Sequence, residues 1–183
     1  MKILMVGLGG IGQRHVRNLR TLLGPEAEIL AYRVRGHSTV LTDQLQVESG
    51  GDLERKYRIR VFGDYGQALL QNPDIVFICN PSSLHIPAAL AAARAGCHLF
   101  IEKPLSHNTE NVEELIILVE QKNLTAMVAY QMRFHPCLQR LRALILQGAI
   151  GRILAVRCEV GEYLPGWHTY EDYRQMYASR QDL

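Results

Sequence analysis

Two short runs carry the residue types and spacings that can do chemistry: Gly7-Leu8-Gly9-Gly10-Ile11-Gly12 and Glu102-Lys103-Pro104. The first lies directly behind the apolar run Ile3-Leu4-Met5-Val6. Its glycines suit a strand, a tight turn and a helix. Gly7 permits the turn, Gly9 lets the backbone approach a pyrophosphate, and Gly12 lets the helix pack closely on the strand. A phosphate would rest on the helix N-terminus, where unpaired N–H groups and the positive end of the helix dipole attract an anion without a charged side chain. Gly7, Gly9, Gly10, Ile11 and Gly12 are therefore candidate cofactor-binding residues. Such a run is weak evidence alone. It is strengthened by the amphipathic stretch 13–23 behind it, with Val16, Leu19, Leu22 and Leu23 on one face. The plainer readings are a glycine-rich turn that binds nothing, or a methyltransferase of related fold.

The second run follows the apolar segment 98–101 and places a charged pair and a proline at the carboxyl end of a strand, where open parallel sheets hold their ligands. Lysine is scarce in this chain. A lysine oriented there and partly desolvated would be tuned for proton transfer, while the plain alternative is a surface lysine at a strand end.

The elements that must position these residues follow from periodicity. Short apolar runs alternate with longer helical stretches, which implies parallel strands joined by crossover helices. Strands are predicted at 2–6, 28–33, 58–62, 75–79, 98–101 and 125–129, and helices at 11–23, 65–71, 83–95, 108–122 and 136–147. Ser82 is a candidate N-cap, and Gly96 and Gly148 are candidate helix stops. The polar stretch 34–57 reads as a helix-containing loop or a mobile segment beside the cofactor. Beyond Gly148 a further strand is predicted at 152–160 and a short helix at 171–178. The resulting fold is α/β, a Rossmann doubly wound parallel sheet over 1–129, followed by the incomplete beginning of an α+β substrate domain over 130–183.

A dinucleotide site that prefers NAD places Asp or Glu about 20 residues past the glycines, where it accepts hydrogen bonds from the ribose. Arg33 stands there instead. Arg35, His37 and Ser38 follow, and no carboxylate occurs between Ile29 and Thr42. Guanidinium and hydroxyl groups suit a ribose phosphate, so NADP is the expected cofactor, with NAD possible. The alternative is that these arginines are solvated loop residues.

Four motifs stand in one order: the glycine run, Asn80-Pro81-Ser82-Ser83-Leu84-His85, Glu102-Lys103-Pro104, and Tyr130-Gln131-Met132-Arg133-Phe134-His135-Pro136. On these the chain resembles the Gfo/Idh/MocA oxidoreductases, named for glucose-fructose oxidoreductase, inositol dehydrogenase and rhizopine catabolism. The resemblance implies a cofactor-binding Rossmann domain and a second α/β domain with an open sheet, acting on sugars, cyclic polyols or their derivatives. It implies that Lys103 hydrogen-bonds the reacting oxygen and assists proton transfer, beside a proline that is often cis in the family. It places Asn80, Pro81 and His85 beside the nicotinamide and its ribose, Glu102 on the ribose side, and Arg133 and His135 near nicotinamide and substrate. For His85 the alternative is a solvent-facing histidine in a first helical turn. For Arg133 and His135 it is a solvated arginine and a cap before Pro136.

Family members also carry an Asp and a His four residues apart on a helix of the second domain. The chain ends before such a pair, so a cofactor-binding portion that catalyses poorly or not at all is expected. His168 is a weak substitute base. The runner-up is a non-catalytic dinucleotide-binding or regulatory protein that has lost the substrate domain. Self-association is expected, as a homo-oligomer, with 152–160 as an exposed edge strand.

Composition constrains partners. In 183 residues, 20 Lys and Arg against 18 Asp and Glu leave a net charge of +2, with no basic block to suit nucleic acid or a membrane surface. Cys79, Cys97, Cys137 and Cys158 have no metal-ligand spacing, and Cys79 and Cys97 lie in or beside apolar runs, which suggests reduced structural thiols and no metal. A cytoplasmic enzyme is the expected setting.

Overall fold

Ile3, Leu4, Met5 and Val6 are each no more than 1% exposed, so the first strand is buried on both faces. A parallel sheet requires this, because its crossover helices cover both sides. Alternation along the strand sends Leu4 and Val6 into one apolar cluster and Ile3 and Met5 into the other.

The computed structural model describes residues 1–34, 39–168, 170–176 and 179–180. In chain order the elements are β1 (Lys2–Val6), α1 (Gly10–Leu23), β2 (Glu28–Tyr32), β3 (Val40–Leu41), β4 (Val47–Glu48), α2 (Leu53–Tyr57), β5 (Ile59–Phe62), α3 (Tyr65–Leu69) and β6 (Ile75–Ile78). There follow α4 (His85–Arg94), β7 (His98–Ile101), α5 (Val112–Gln121), β8 (Ala126–Val128) and α6 (Pro136–Leu146). Six strands form one sheet in the order β5-β2-β1-β6-β7-β8, every pair parallel. This is the doubly wound Rossmann arrangement. The strand order reverses between β1 and β6, and ligands of such sheets bind in the crevice at that point. One compact unit comprises Met1–Ala129 with the stretch from His168, and a second comprises Tyr130–Trp167.

Each of the six expected sheet strands forms to within one residue at either end. Gly96 and Gly148 follow the last turns of α4 and α6 with positive φ, as helix stops. The stretch 34–57 holds the β3–β4 hairpin and α2.

Four expectations are corrected. Residues 152–160 form no strand and are exposed, because a strand exists only where a partner completes its ladder of hydrogen bonds. The expected edge at 152–160 is therefore absent, and β8 is an outer strand of the sheet. Residues 170–176 form turns and bends rather than the start of a helix. Ser82 opens a 3-10 turn, Ser82–Leu84, and makes no capping bond. On α1 the buried face is Gly12, Gln13, Val16 and Leu19, while Leu22 and Leu23 are exposed. Arg20 takes over the last turn, donating to the carbonyls of Tyr57 and Ala27.

Replacing Leu4 with Ala removes a fully buried side chain from the apolar cluster that also holds Ile86 and Ala89 of α4. Urea denaturation is expected to show a loss of about 2–5 kcal/mol.

Candidate cofactor and active site

The site is built on backbone contacts at the end of β1. Gly7 has φ +96°, and its N–H donates to the Tyr32 carbonyl at 3.0 Å. A Cβ at Gly7 would lie 2.9 Å from the Cys79 carbonyl oxygen, so the turn is pressed against the end of β6. A Cβ at Gly12 would collide with the Gly7 carbonyl oxygen. Both neighbours are backbone and cannot swing aside.

Gly9 differs from both. A Cβ there would meet no atom within 4 Å, and Gly9 is the N-cap of α1, with no side-chain cap and no acidic residue in the first turn. The first N–H groups of a helix lack intrahelical partners, and here no side chain of the cap competes with an anion for them. Gly10 faces protein instead, because a Cβ there would lie 2.6 Å from the Tyr170 hydroxyl. Ile11 is 37% exposed.

Two polar side chains on α1 that no motif signalled tie the helix to its surroundings, Gln13 at the glycine turn and His15 at the end of β7. Gln13 is 3% exposed. Its amide donates to the Leu8 and Thr39 carbonyls at 3.2 and 2.9 Å and accepts from the Leu41 N–H at 2.8 Å. His15 packs edge-on against Phe100 and tilted on Phe77, and its Nε2 lies 2.7 Å from Glu102 Oε1. The available signal was a polar residue among the apolar positions of an amphipathic helix. Gln13, Val16 and Leu19 share the buried face.

Glu102 is 7% exposed, and its second oxygen accepts the Lys103 N–H at 3.2 Å. Burial works to raise this carboxyl. The His15 hydrogen bond and charge, with the Lys103 N–H, outweigh burial and hold the group below the ordinary carboxylate range. Glu102, expected on the ribose side, thus has both oxygens engaged within the protein, joining α1 to the Lys103 turn.

The Lys103–Pro104 peptide is cis. Lys103 itself is exposed, so the partial desolvation expected of it is not present here. His85 is 1% exposed rather than solvent-facing. Its Nδ1 lies 2.8 Å from the Pro104 carbonyl and its Nε2 2.9 Å from the Asn80 carbonyl. One imidazole thereby spans the loops that follow β6 and β7. Asn80 donates through Nδ2 to the Leu84 carbonyl at 3.3 Å, while its Oδ1 is buried and has no hydrogen-bond partner among the described residues. Buried polar atoms are rarely left so, and a donor from a bound ligand would satisfy it. Pro81 stands between Asn80 and the 3-10 turn.

Arg33 follows β2, and its Nη2 pairs with Glu54 Oε1 at 2.7 Å. Arg35, His37 and Ser38 lie outside the described residues. In the second unit, Arg133 is exposed on the 3-10 turn Gln131–Phe134. His135 caps α6 by accepting the Cys137 N–H on Nδ1 at 3.3 Å. His168 stacks on Tyr170 with ring centroids 5.3 Å apart. Cys79 and Cys97 are buried free thiols, whereas Cys137 and Cys158 are exposed. No described helix is long and apolar enough to cross a membrane, and the described residues contain no cluster of three or more metal-ligating side chains.

Fold and turn together define a dinucleotide-binding Rossmann domain. Residues 1–130 match the oxidoreductase family with an NAD-binding Rossmann fold, Gfo/Idh/MocA, and the chain belongs to that family. It is similar to levoglucosan dehydrogenase of Pseudarthrobacter phenanthrenivorans, 40% identical over 103 residues, which cover 55% of this chain and 26% of that protein. Among solved structures it resembles scyllo-inositol dehydrogenase of Lactobacillus casei with bound NAD(H) and scyllo-inositol, at TM-score 0.69 and 29% identity over 84% of this chain and 43% of that one. It also resembles the WlbA dehydrogenase of Bordetella pertussis in complex with NADH and UDP-GlcNAcA, at TM-score 0.70 and 26% identity over 84% and 41% of the two chains. The chain thus spans less than half the length of each of these proteins.

Because the folded state holds Glu102 low, its carboxylate stabilises the fold above the ordinary carboxylate range and loses that contribution as pH falls through the lowered value. Glu102→Gln is expected to cost about 1–3 kcal/mol at pH 7. The gap from the unaltered chain should narrow as pH falls from the ordinary carboxylate range through the lowered value, read by denaturant melts at a series of pH values.

Proposed function

We propose that this chain is the nicotinamide-dinucleotide-binding part of a dehydrogenase that acts on a sugar, a cyclic polyol or a derivative by hydride transfer. The observation that carries the reading is the open position at Gly9 above the uncapped N-terminus of α1. The unpartnered, buried Asn80 Oδ1 across the crevice adds to it. Both fit a ligand that brings an anionic diphosphate and hydroxyl donors. The relatives named above support the class, since their names refer to NAD(H), an inositol, a nucleotide sugar and levoglucosan.

In this reading Gly7, Gly9, Gly10, Ile11 and Gly12 form the diphosphate turn, although Gly7, Gly10 and Gly12 act through packing and Gly9 through open space. Asn80, Pro81 and His85 flank the nicotinamide ribose, His85 by holding the Asn80 and Pro104 loops together. When bound, the nicotinamide supplies the hydride acceptor or donor. Lys103 hydrogen-bonds the reacting oxygen and takes its proton as the adjacent carbon is oxidised, or returns it in reduction. Glu102 orients Lys103 through its backbone, and Arg133 is a further cofactor-binding candidate on the family pattern. Arg33, Arg35 and Ser38 meet the ribose phosphate of NADP, with NAD also accepted.

Fluorescence titration with NADH and NADPH tests the reading. Binding of at least one is expected. Gly9→Ala should fold with a loss within about 1 kcal/mol, as a change of N-cap, yet bind the dinucleotide at least tenfold more weakly. Failure of both dinucleotides to bind, or unchanged binding by Gly9→Ala, overturns the proposal.

A further inference from the structure

The end of β2 holds a charge pair that local sequence does not reveal. Gly7 donates its N–H to the Tyr32 carbonyl, and Arg33 is the next residue, its own N–H donating to the Phe62 carbonyl at 3.2 Å. Arg33 therefore sits beside the glycine turn. Its side chain is 15% exposed and meets the Glu54 carboxylate at 2.7 Å. Glu54 arrives from α2, whose N-cap Asp52 accepts the N–H groups of Glu54 and Arg55 at 3.0 and 3.1 Å. The carboxylate missing between Ile29 and Thr42 is thus delivered from a point 21 residues beyond Arg33.

The chemistry of this pair is one of exchange. The Glu54 side chain is 46% exposed, and ion pairs with so wet a partner are worth about 1 kcal/mol or less. Such a pair holds a guanidinium in place without locking it. A ribose phosphate carries nearly two negative charges and several acceptor oxygens, so it binds a guanidinium more strongly than one carboxylate oxygen does. Left in place, Glu54 would repel it.

We propose that Glu54 is an internal surrogate for the ribose phosphate. It occupies Arg33 when the ribose bears only hydroxyls and yields Arg33 when a phosphate is present, so the site accepts both NAD and NADP and Glu54 sets their ratio. The inference rests on the dinucleotide reading above. Glu54 acts through Arg33 and is a positioning residue.

The test measures dissociation constants of NADPH and NADH for the full chain and for Glu54→Gln, Glu54→Asp and Arg33→Met. Glu54→Gln is expected to tighten NADPH by about two- to fivefold, the scale of one exposed ion pair, and to leave NADH unchanged. Glu54→Asp should restore the ratio in part, which loss of a merely structural contact would not predict. Arg33→Met should remove the effect of the Glu54 substitution. An unchanged NADPH-to-NADH ratio in Glu54→Gln, with both dinucleotides bound, overturns the role of Glu54 and leaves the dinucleotide reading intact. Failure of the unaltered chain to bind either overturns both.

Discussion

The site depends on the close approach of two backbones, where the first turn of α1 lies against the Gly7 carbonyl with no room for a Cβ at Gly12. Gly7 is pressed in turn against the Cys79 carbonyl at the end of β6. Backbone atoms cannot rotate out of such contacts, so the N-terminus of α1 and the carboxyl ends of β1 and β6 meet at one point. That point is the place where the strand order reverses, and crossovers leaving to opposite faces open a crevice there. The apolar clusters on both sides of β1 hold the strand end in position.

Around this contact, buried polar side chains join loops that regular structure leaves separate. Gln13 fastens the glycine turn to the β3 segment. His85 joins the Asn80 loop to the Pro104 loop. Glu102 joins the Lys103 turn to His15 on α1. Each such bond contributes only about 1 kcal/mol net, or somewhat more where charge is involved, but an unpaired partner left behind would cost more. The arrangement is therefore specified as a set. Lys103 stands exposed at its edge while Glu102 accepts its N–H and His85 meets the carbonyl of the following Pro104.

Much of the fold was legible because its signals are local. Apolar runs of strand length and glycines at fixed offsets describe β1, the turn and α1 without reference to distant residues. The segment 152–160 shows the limit of that reasoning. It has the composition of a strand, yet forms none, because strand formation depends on a neighbour's hydrogen bonds. Leu22 and Leu23 show it again, since helical periodicity does not tell where the sheet beneath the helix ends.

The sequence by itself determined the chain order of the six sheet strands, the glycine turn and the position of Lys103 at a strand end, since periodicity and glycine stereochemistry act over a few neighbouring residues. Only the tertiary structure decided the partners of the polar side chains. Glu102 meets His15 across 87 residues, and Arg33 meets Glu54 across 21. Electrostatic and hydrogen-bond pairing depends on distance in space, which chain order does not encode until the sheet has brought its strand ends together.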